Sequence, residues 1–326
     1  MQIQKLVVAT AAVVLLLANG VGNQPLAAQS AAPASGAQVG ILHFNITKLD
    51  RSLAWYRDVL GMETVSDNGG PKPTTNVPGK SAMMHTHVLK TPGGEFSMEL
   101  VEMSGVDQRP QKVNIQDPGA IMLALNVSDL DAVLAGARKL GLKVISTGGD
   151  VVTTTERGRQ VMIRDDDGVT FYLSQAKPGA AKVQHDYTFM AVGDVDKTVA
   201  FYNGVFGLNM EKPGKPGATP DRIVKLSGNP ALSMFRMSPS KLFDSGVIRF
   251  QEFTGDTKTP VQHRVQDPGG PILTVTVKDF AGVMKQVEAL GGTIGDGNTS
   301  GPLAPNATVS WIRDPNGLLI RVSAAR

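Results

Sequence analysis

The sequence predicts an α+β protein built from four strand-helix-three-strand units. One observation behind this prediction is an internal repeat: ILHFNITKLDRSLAWYRDVLG at 41–61 aligns without gaps with YTFMAVGDVDKTVAFYNGVFG at 187–207. A second repeat pairs DPGAIMLALNVSDL at 117–130 with DPGGPILTVTVKDF at 267–280. The other observation is a shared order of predicted elements, in which a strand with alternating apolar residues precedes an amphipathic helix and short strands. The chain therefore has two related halves of two units each.

Each helix is predicted from apolar residues at helical spacing that end at a glycine. In the first two units these residues are Leu49, Leu53, Tyr56 and Leu60 before Gly61, and Leu130, Val133, Ala137 and Leu140 before Gly141. The strands that follow are separated by turn sequences: TPGGE at 91–95, DDDG at 165–168 and DPNG at 314–317. Such sequences favour tight reversals between strands.

The N-terminus has the composition of a secretory signal peptide. Lys5 precedes an apolar run at 6–20, and small residues follow it. The run is shorter than the ~20 residues that span a bilayer. We therefore predict a signal peptide at 1–28 and an exported protein, periplasmic or extracellular. The mature chain is divided into a flexible segment at 29–37, a first domain at 38–175, a linker at 176–183 and a second domain at 184–326.

Composition narrows the class of partner. The 326 residues are 41% hydrophobic and 19% charged, which is typical of a globular chain, and the net charge is only +3. This balance gives no reason to expect nucleic acid or, after signal cleavage, a membrane as partner. The chain has no cysteine, so disulfides and thiolate ligands are excluded. We expect a small-molecule ligand and a monomer or homodimer.

The tandem units resemble the vicinal oxygen chelate superfamily, which includes glyoxalase I, bleomycin-resistance proteins and extradiol dioxygenases. The resemblance rests on opening strands such as ILHFNITKLDRSLAWYRDVLG and closing strands such as RDPNGLLIRV, and covers nearly all of 38–325. It implies that units pair into two cup-shaped mixed-sheet domains, each of which encloses a ligand. In the family's metalloenzymes, His or Gln on opening strands and Glu or His on closing strands hold the metal.

Alternation places two residues of the first unit at those positions. Leu42, Phe44 and Ile46 form the apolar face beneath the helix, so His43 and Asn45 point into the cup. On the closing strand, Glu99 lies between Met98 and Leu100, which share the opposite face. His43 and Glu99 are therefore candidate metal ligands, and Glu99 is the candidate catalytic residue.

The positions expected to supply the remaining metal ligands do not carry usual ligand residues. Counting along the second unit of the same half gives Met122 and Tyr172, which are not usual metal ligands. His85 and His87 share one face of a strand, so either histidine completes a metal site if that face is the cup. If it is the outer face, both are solvated surface residues.

The second half lacks all of these polar groups. It has Phe189 where the first half has His43, and Arg249 where the first half has Glu99. The last unit supplies Ile272 and Arg321. Arg249 and Arg321 would share the second cup, either as an anion site or as partners of acids such as Glu252. The functional site is therefore expected in the first half.

Two functions remain open. One is a metal-dependent lyase or isomerase of the glyoxalase type, or a dioxygenase relative, with one divalent ion (Zn, Mn, Ni or Fe) held by His43, Glu99 and His87. The other is a metal-free protein that binds or sequesters a small molecule. In that case His43, Asn45, His85, Met122 and Tyr172 line the pocket.

Overall fold

The computed structural model describes residues 36–74, 77, 81–94, 96–111, 113–239, 241–243, 246–295 and 307–325. The predicted signal peptide at 1–28 and most of the segment at 29–37 lie outside the described residues, so both stay predictions. The described residues belong to one compact unit, 32–326. Among them no helix has the length and apolar character needed to cross a membrane.

The first half contains the two predicted units. The first unit consists of β1 (Gln38–Ile46), α1 (Leu49–Leu53), a π-helical turn (Ala54–Val59), β2 (Glu63–Asp67), β3 (Lys72–Thr74), β4 (Ala82–Lys90) and β5 (Ser97–Ser104). The second consists of β6 (Ile121–Val127), α2 (Leu130–Lys139), β7 (Lys143–Val144), a 3-10 turn (Thr147–Gly149), β8 (Val152–Thr154), β9 (Gly158–Arg164) and β10 (Thr170–Gln175). Gly61 and Gly141 have positive φ, which explains why each helical segment ends where the sequence predicted.

The second half repeats this order with one addition. The third unit consists of β11 (Val183–Val192), α3 (Val195–Phe206), β12 (Gly217–Ala218), α4 (Asp221–Ser227), β13 (Met234–Met237), β14 (Lys241–Phe243) and β15 (Gly246–Thr254). The fourth consists of β16 (Pro271–Val277), α5 (Phe280–Ala289), β17 (Thr293–Ile294), β18 (Val309–Arg313) and β19 (Leu319–Ala324). Helix α4 has no counterpart among the described residues of the first unit, and sequence analysis did not find it.

The four units form two mixed sheets. Sheet A combines the first and fourth units in the order β17-β18-β19-β16-β1-β5-β4-β2, with β3 on β4. Sheet B combines the second and third units in the order β12-β13-β15-β11-β6-β10-β9-β7, with β14 on β15 and β8 on β9. The predicted α+β class with paired strand-helix-three-strand units is confirmed.

The units do not pair within each half, so that part of the prediction is wrong. Strand β1 pairs antiparallel with β16 of the last unit, and β6 pairs antiparallel with β11. The short linker explains this, because it carries the chain from β10 directly to β11, on the other side of β6. With the second and third units joined, the first unit pairs with the fourth.

The helices lie on the faces of the sheets that carry the main apolar core. This core is one continuous cluster that draws on both sheets, and it includes Phe44, Phe171, Phe250 and Ile320. Helix α2 packs against the π-helical turn, where Gly136 lies so close to Val59 that a Cβ at Gly136 would overlap its side chain. The opposite face of each sheet is therefore left to form a cup.

Candidate functional site

Strand register defines the cup of sheet A, which we call cup A. The parallel pairing of β1 and β5 places His43 beside Glu99 and Asn45 beside Val101. Because Leu42 and Phe44 belong to the core under the helices, these residues face the other way. The predicted orientation of His43 and Glu99 is therefore confirmed by the register and the burial of their neighbours.

His43 and Glu99 are in direct contact. The distance between His43 Nδ1 and Glu99 Oε2 is 2.5 Å, and the side chains are 21% and 18% exposed. His43 Nε2 is buried and has no hydrogen-bond partner among the described residues. When the ring is neutral and Nδ1–H donates to the carboxylate, Nε2 carries a lone pair. The pair is thus oriented to accept a proton or a hydrogen bond from a ligand.

The fourth unit supplies the other wall of cup A. Trp311 and Arg321 are cross-strand neighbours on β18 and β19, and Thr274 lies beside Arg321 on β16. Trp311 packs against a second apolar cluster that includes Val101, Ile272 and Leu319. Trp311 and Arg321 are both half-buried. This cluster lies between the His-Glu pair and the guanidinium, and it is itself buried, since it also includes Val77 and Val265 from loops.

Asn45 faces cup A, where its side chain is bonded to the backbone of a loop. Its side chain is 1% exposed, and its Nδ2 donates to the carbonyl of Val265 at 2.8 Å. Its own carbonyl accepts a hydrogen bond from Gly269 N. Asn45 therefore has a structural role, since it ties the loop after β15 to the sheet, while its Oδ1 has no partner among the described residues and its ligand-binding role stays a prediction.

His85 and His87 lie outside cup A, which corrects their predicted place in its metal site. In the antiparallel pairing of β4 and β5, His87 lies opposite Leu100 and His85 opposite Glu102, on the face away from Glu99. His87 Nε2 is 2.9 Å from Thr64 Oγ1. His85 Nε2 is 2.9 Å from Asp67 Oδ1. Burial lowers the pKa of His87. Both histidines therefore join β4 to β2, His87 near the start of β2 and His85 at its end.

Met122 and Tyr172 belong to sheet B, so they do not share a pocket with His43. They lie in cup B, the face of sheet B that also carries Ala124, Tyr187 and Phe189. Both side chains are 1% exposed, and the Tyr172 hydroxyl contacts Gln160 Nε2. The register also corrects their equivalence: Tyr172 pairs with Ala124, so Ala124 rather than Met122 corresponds to His43.

Cup B is filled by the protein itself. Ile223 and Leu226 of α4 are buried against Met122, Tyr172 and Phe189 in one apolar cluster. This packing explains why the second half loses the polar residue at the His43 position, since Phe189 is part of that cluster. The inserted helix converts one cup into a core.

Arg249 and Arg321 are in different sheets, so the expectation that they share one cup is wrong, and with it the alternative of an anion site between them. The Arg249 guanidinium lies 4.4 Å from the centroid of the Tyr187 ring in cup B. Burial lowers the pKa of Arg249, against the opposing charge of Asp186. Glu252, the proposed acid partner, accepts a hydrogen bond from Val195 N at the start of α3.

The residues of cup A do not fit a resident divalent metal. By register, the four positions that correspond to His43 and Glu99 in cup A are occupied by His43, Glu99, Thr274 and Arg321. The Thr274 hydroxyl donates to the carbonyl of Ile41, and Arg321 is a cation. Zinc sites take three or four protein ligands, whereas the described residues contain no cluster of three His, Cys, Asp or Glu of that kind. Two donors that contact each other leave the site incomplete.

The sequence missed Trp311 as a cup residue. Alternation around Ile312, a core residue, places Trp311 on the cup face, so the signal was present. What alternation did not reveal was which unit faces His43. The polar wall opposite His43 and Glu99 therefore had to be found from strand pairing.

Trp55 lies on the helix side of sheet A, away from the cup. Its side chain is 1% exposed, and its Nε1 has no hydrogen-bond partner among the described residues. Phe201 occupies the corresponding position in the second half. We expect Trp55→Phe to change the free energy of unfolding by less than about 1.5 kcal/mol, because the apolar contact is largely kept. Chemical denaturation checks this, and a loss of several kcal/mol would contradict it.

A family model matches most of the chain in two tandem stretches. The model is described as the Glyoxalase/Bleomycin resistance protein/Dioxygenase superfamily, and it matches residues 39–173 and 184–322. No curated protein matches the chain. These two stretches correspond to the two halves of the internal repeat.

Solved structures of glyoxalase I from Zea mays are similar in fold. One has 19% sequence identity and a TM-score of 0.53, and the alignment covers 88% of this chain and 92% of that one. A mutant of the same maize enzyme gives 17% identity and a TM-score of 0.54, over 88% of this chain and 94% of that one. At this level of identity the likeness supports the fold alone. The two family-model matches, together with the paired sheets, show that the chain belongs to the glyoxalase/bleomycin resistance/dioxygenase superfamily.

Proposed function

We propose that cup A binds a small organic molecule without a resident metal. The observation that carries this proposal is the His43–Glu99 contact at 2.5 Å, with His43 Nε2 lacking a partner among the described residues. A buried polar atom without a partner is costly, so a ligand that supplies a hydrogen bond is stabilising there. The half-buried Trp311, which packs on the buried cluster of Val101, Ile272 and Leu319, is the apolar surface available to the carbon skeleton of such a ligand.

Cup B is not proposed as a second binding site. Its apolar positions are covered by α4, and its polar residues contact one another rather than an open surface. Ligand binding is therefore expected to be confined to one cup. The two sheets have the same fold, but among the described residues only sheet A has a polar cup.

A proton-transfer isomerase or lyase is the second candidate function. It is favoured by the same contact, because a carboxylate on Nδ1 fixes the ring and leaves Nε2 as the basic nitrogen. In an isomerisation, Nε2 would take a proton from the carbon beside a carbonyl and return it to a neighbouring atom. No further reactant is needed for this step. Glu99 would then act through His43, as a positioning residue.

Ligand-detected NMR with a defined panel of small carboxylates, amides, phenols and 2-oxo acids tests the binding function. We expect at least one compound to bind the wild type. His43→Ala should weaken that binding by about tenfold or more, because removing one partner of a buried hydrogen bond costs roughly 1–3 kcal/mol. His85→Ala is the matched control, since His85 lies on the same unit but on the opposite face.

Metal analysis of the same proteins tests the absence of a resident metal. We expect far less than one equivalent of any divalent transition metal in the wild type, before and after incubation with zinc or manganese and desalting. A stoichiometric metal that disappears in His43→Ala would overturn the metal-independent proposal. Hits that bind equally to His43→Ala and His85→Ala would overturn the assignment to cup A.

A further inference from the structure

We infer that the ligand of cup A is a small organic anion, with a carboxylate or similar group bound by Arg321 and a planar part against Trp311. This inference rests on the proposed binding function and adds the chemical class of the ligand. Arg321 has no carboxylate in ion-pair contact among the described residues, although it is half-buried. A guanidinium in that position binds a carboxylate through two parallel hydrogen bonds.

The strand order places Arg321 across the cup from the His-Glu pair. Arg321 is on β19 and Glu99 on β5, and β16 and β1 lie between these strands. Three strand spacings of about 4.8 Å separate the two backbones by roughly 14 Å along the sheet. Both side chains extend into the cup from opposite sides. The separation of these two groups therefore suits a molecule of modest length with an anionic group at one end.

Trp311 adds a surface for the body of the ligand. It is the cross-strand partner of Arg321 on the same face, and it is half-buried against the cluster of Val101, Ile272 and Leu319. A planar ligand that stacks on the indole would bring its anionic group to the neighbouring guanidinium. At the other end, His43 Nε2, which has no partner among the described residues, would accept a hydrogen bond from the ligand.

Arg321 and its counterpart in the internal repeat, Arg249, have different surroundings. Arg249 occupies the equivalent position in the third unit, but its guanidinium lies over Tyr187 in the filled cup B. Asp186 contributes an opposing charge near Arg249. Arg321 has neither an aromatic ring contact nor an acid contact of this kind among the described residues. The same residue type is thus packed in one cup and available to a ligand in the other.

Arg321 also provides a positive charge in cup A, where the described residues include too few metal-binding side chains to hold a metal ion. With only His43 and Glu99 as donors, a divalent ion is poorly held. A guanidinium on the closing strand is a fixed cation that needs no ligands. An anionic ligand that binds Arg321 would be held in place without a metal.

Fluorescence of Trp311 provides a direct test. The chain has two tryptophans, and Trp55→Phe leaves Trp311 as the single emitter. In this background we use p-nitrobenzoate as the anionic quencher and p-nitrobenzamide as the neutral isostere. We expect p-nitrobenzoate to quench Trp311 saturably. Arg321→Gln should weaken this binding by about tenfold or more, and Arg321→Lys should weaken it less.

The controls distinguish this inference from the proposed function. Arg249→Gln, in the other cup, should leave p-nitrobenzoate binding unchanged, and p-nitrobenzamide should respond little to Arg321→Gln. Saturable quenching that Arg321→Gln leaves unchanged would overturn the anion assignment, and weaker binding of the panel compounds to His43→Ala would still leave the binding function standing. Equal affinity for the acid and the amide, or no saturable quenching by the acid, would also overturn it. Loss of every panel compound from cup A would overturn both.

Discussion

Separating the two halves of the chain is expected to abolish independent folding of each. Strand β1 would lose β16, and β6 would lose β11, so a central strand of each sheet would become an open edge. Unpaired edges that carry apolar cores favour association or unfolding. We expect a fragment that ends in the linker at 176–182 to be unfolded or self-associated when it is produced alone.

The same pairings predict a different outcome when the linker of the folded protein is cut. A protease site inserted in the linker should be cleavable, and the two fragments should then elute together as an equimolar complex. Both sheets and the main apolar core contain strands from each fragment, so cleavage removes no strand pairing. Size-exclusion chromatography with light scattering measures this. Elution of two separate, folded monomers would contradict the pairing of the first unit with the fourth.

The parts of the fold that depend on local pattern were predictable. The strand faces around Phe44 and Met98 follow from alternation, and the helix ends follow from Gly61 and Gly141. The orientation of His43 and Glu99 followed from the same rule. These predictions depend only on neighbouring residues along one chain segment.

The pairing between units was not predictable in this way. All four opening strands have similar alternation, so each could pair with any other without changing which residues face the core. The choice depends on the linker and on contacts between distant segments. This is why Met122 and Tyr172 were wrongly grouped with His43, and why the wall formed by Trp311 and Arg321 was not recognised.

The strand that carries His85 and His87 shows a second limit. The sequence established that they share a face, but the register with β5 decides which face that is. Leu89 has the same parity and is fully buried in the main core, so it was a usable signal. A pair of histidines on one strand is thus weak support for a metal site unless the apolar residues of that strand are considered as well.

The turn at 165–167 carries a pair of acids, Asp165 half-buried and Asp167 buried, that the equivalent turn at 314–316 does not have. Asp167 accepts hydrogen bonds from Thr47 N at 2.9 Å and Thr47 Oγ1 at 2.6 Å. Burial, reinforced by Asp167, raises the pKa of Asp165 to about 7. In the second half Asn316 replaces Asp167, and its Nδ2 donates to Thr198 Oγ1 and to Asp314 Oδ2. The turn at 165–167 therefore has one more shielded carboxylate than the turn at 314–316.

Asp165 is expected to make the protein less stable as the pH rises toward neutrality. Its pKa is about 7 in the folded state and near 3.8 when unfolded, so the folded state holds the extra proton between these values. The contribution of Asp165 to the free energy of unfolding is fully present below about pH 4 and is lost as the pH rises through about 7. His185 and His263, whose pKa values burial lowers to about 3, give the opposite slope in every variant.

Asp167→Asn should therefore stabilise the protein at neutral pH, on the order of 2 kcal/mol. The new amide can donate to Asp165, as Asn316 donates to Asp314. The gain should shrink below about pH 4, where Asp165 is protonated in both folded and unfolded states. Chemical denaturation across this pH range measures the difference between variant and wild type, which cancels the contribution of the histidines.

Asn316→Asp is the matched reverse change and should destabilise the protein at neutral pH, because it places a second buried carboxylate beside Asp314. Parallel pH profiles for wild type and Asp167→Asn would show that the acidic pair does not control this part of the stability.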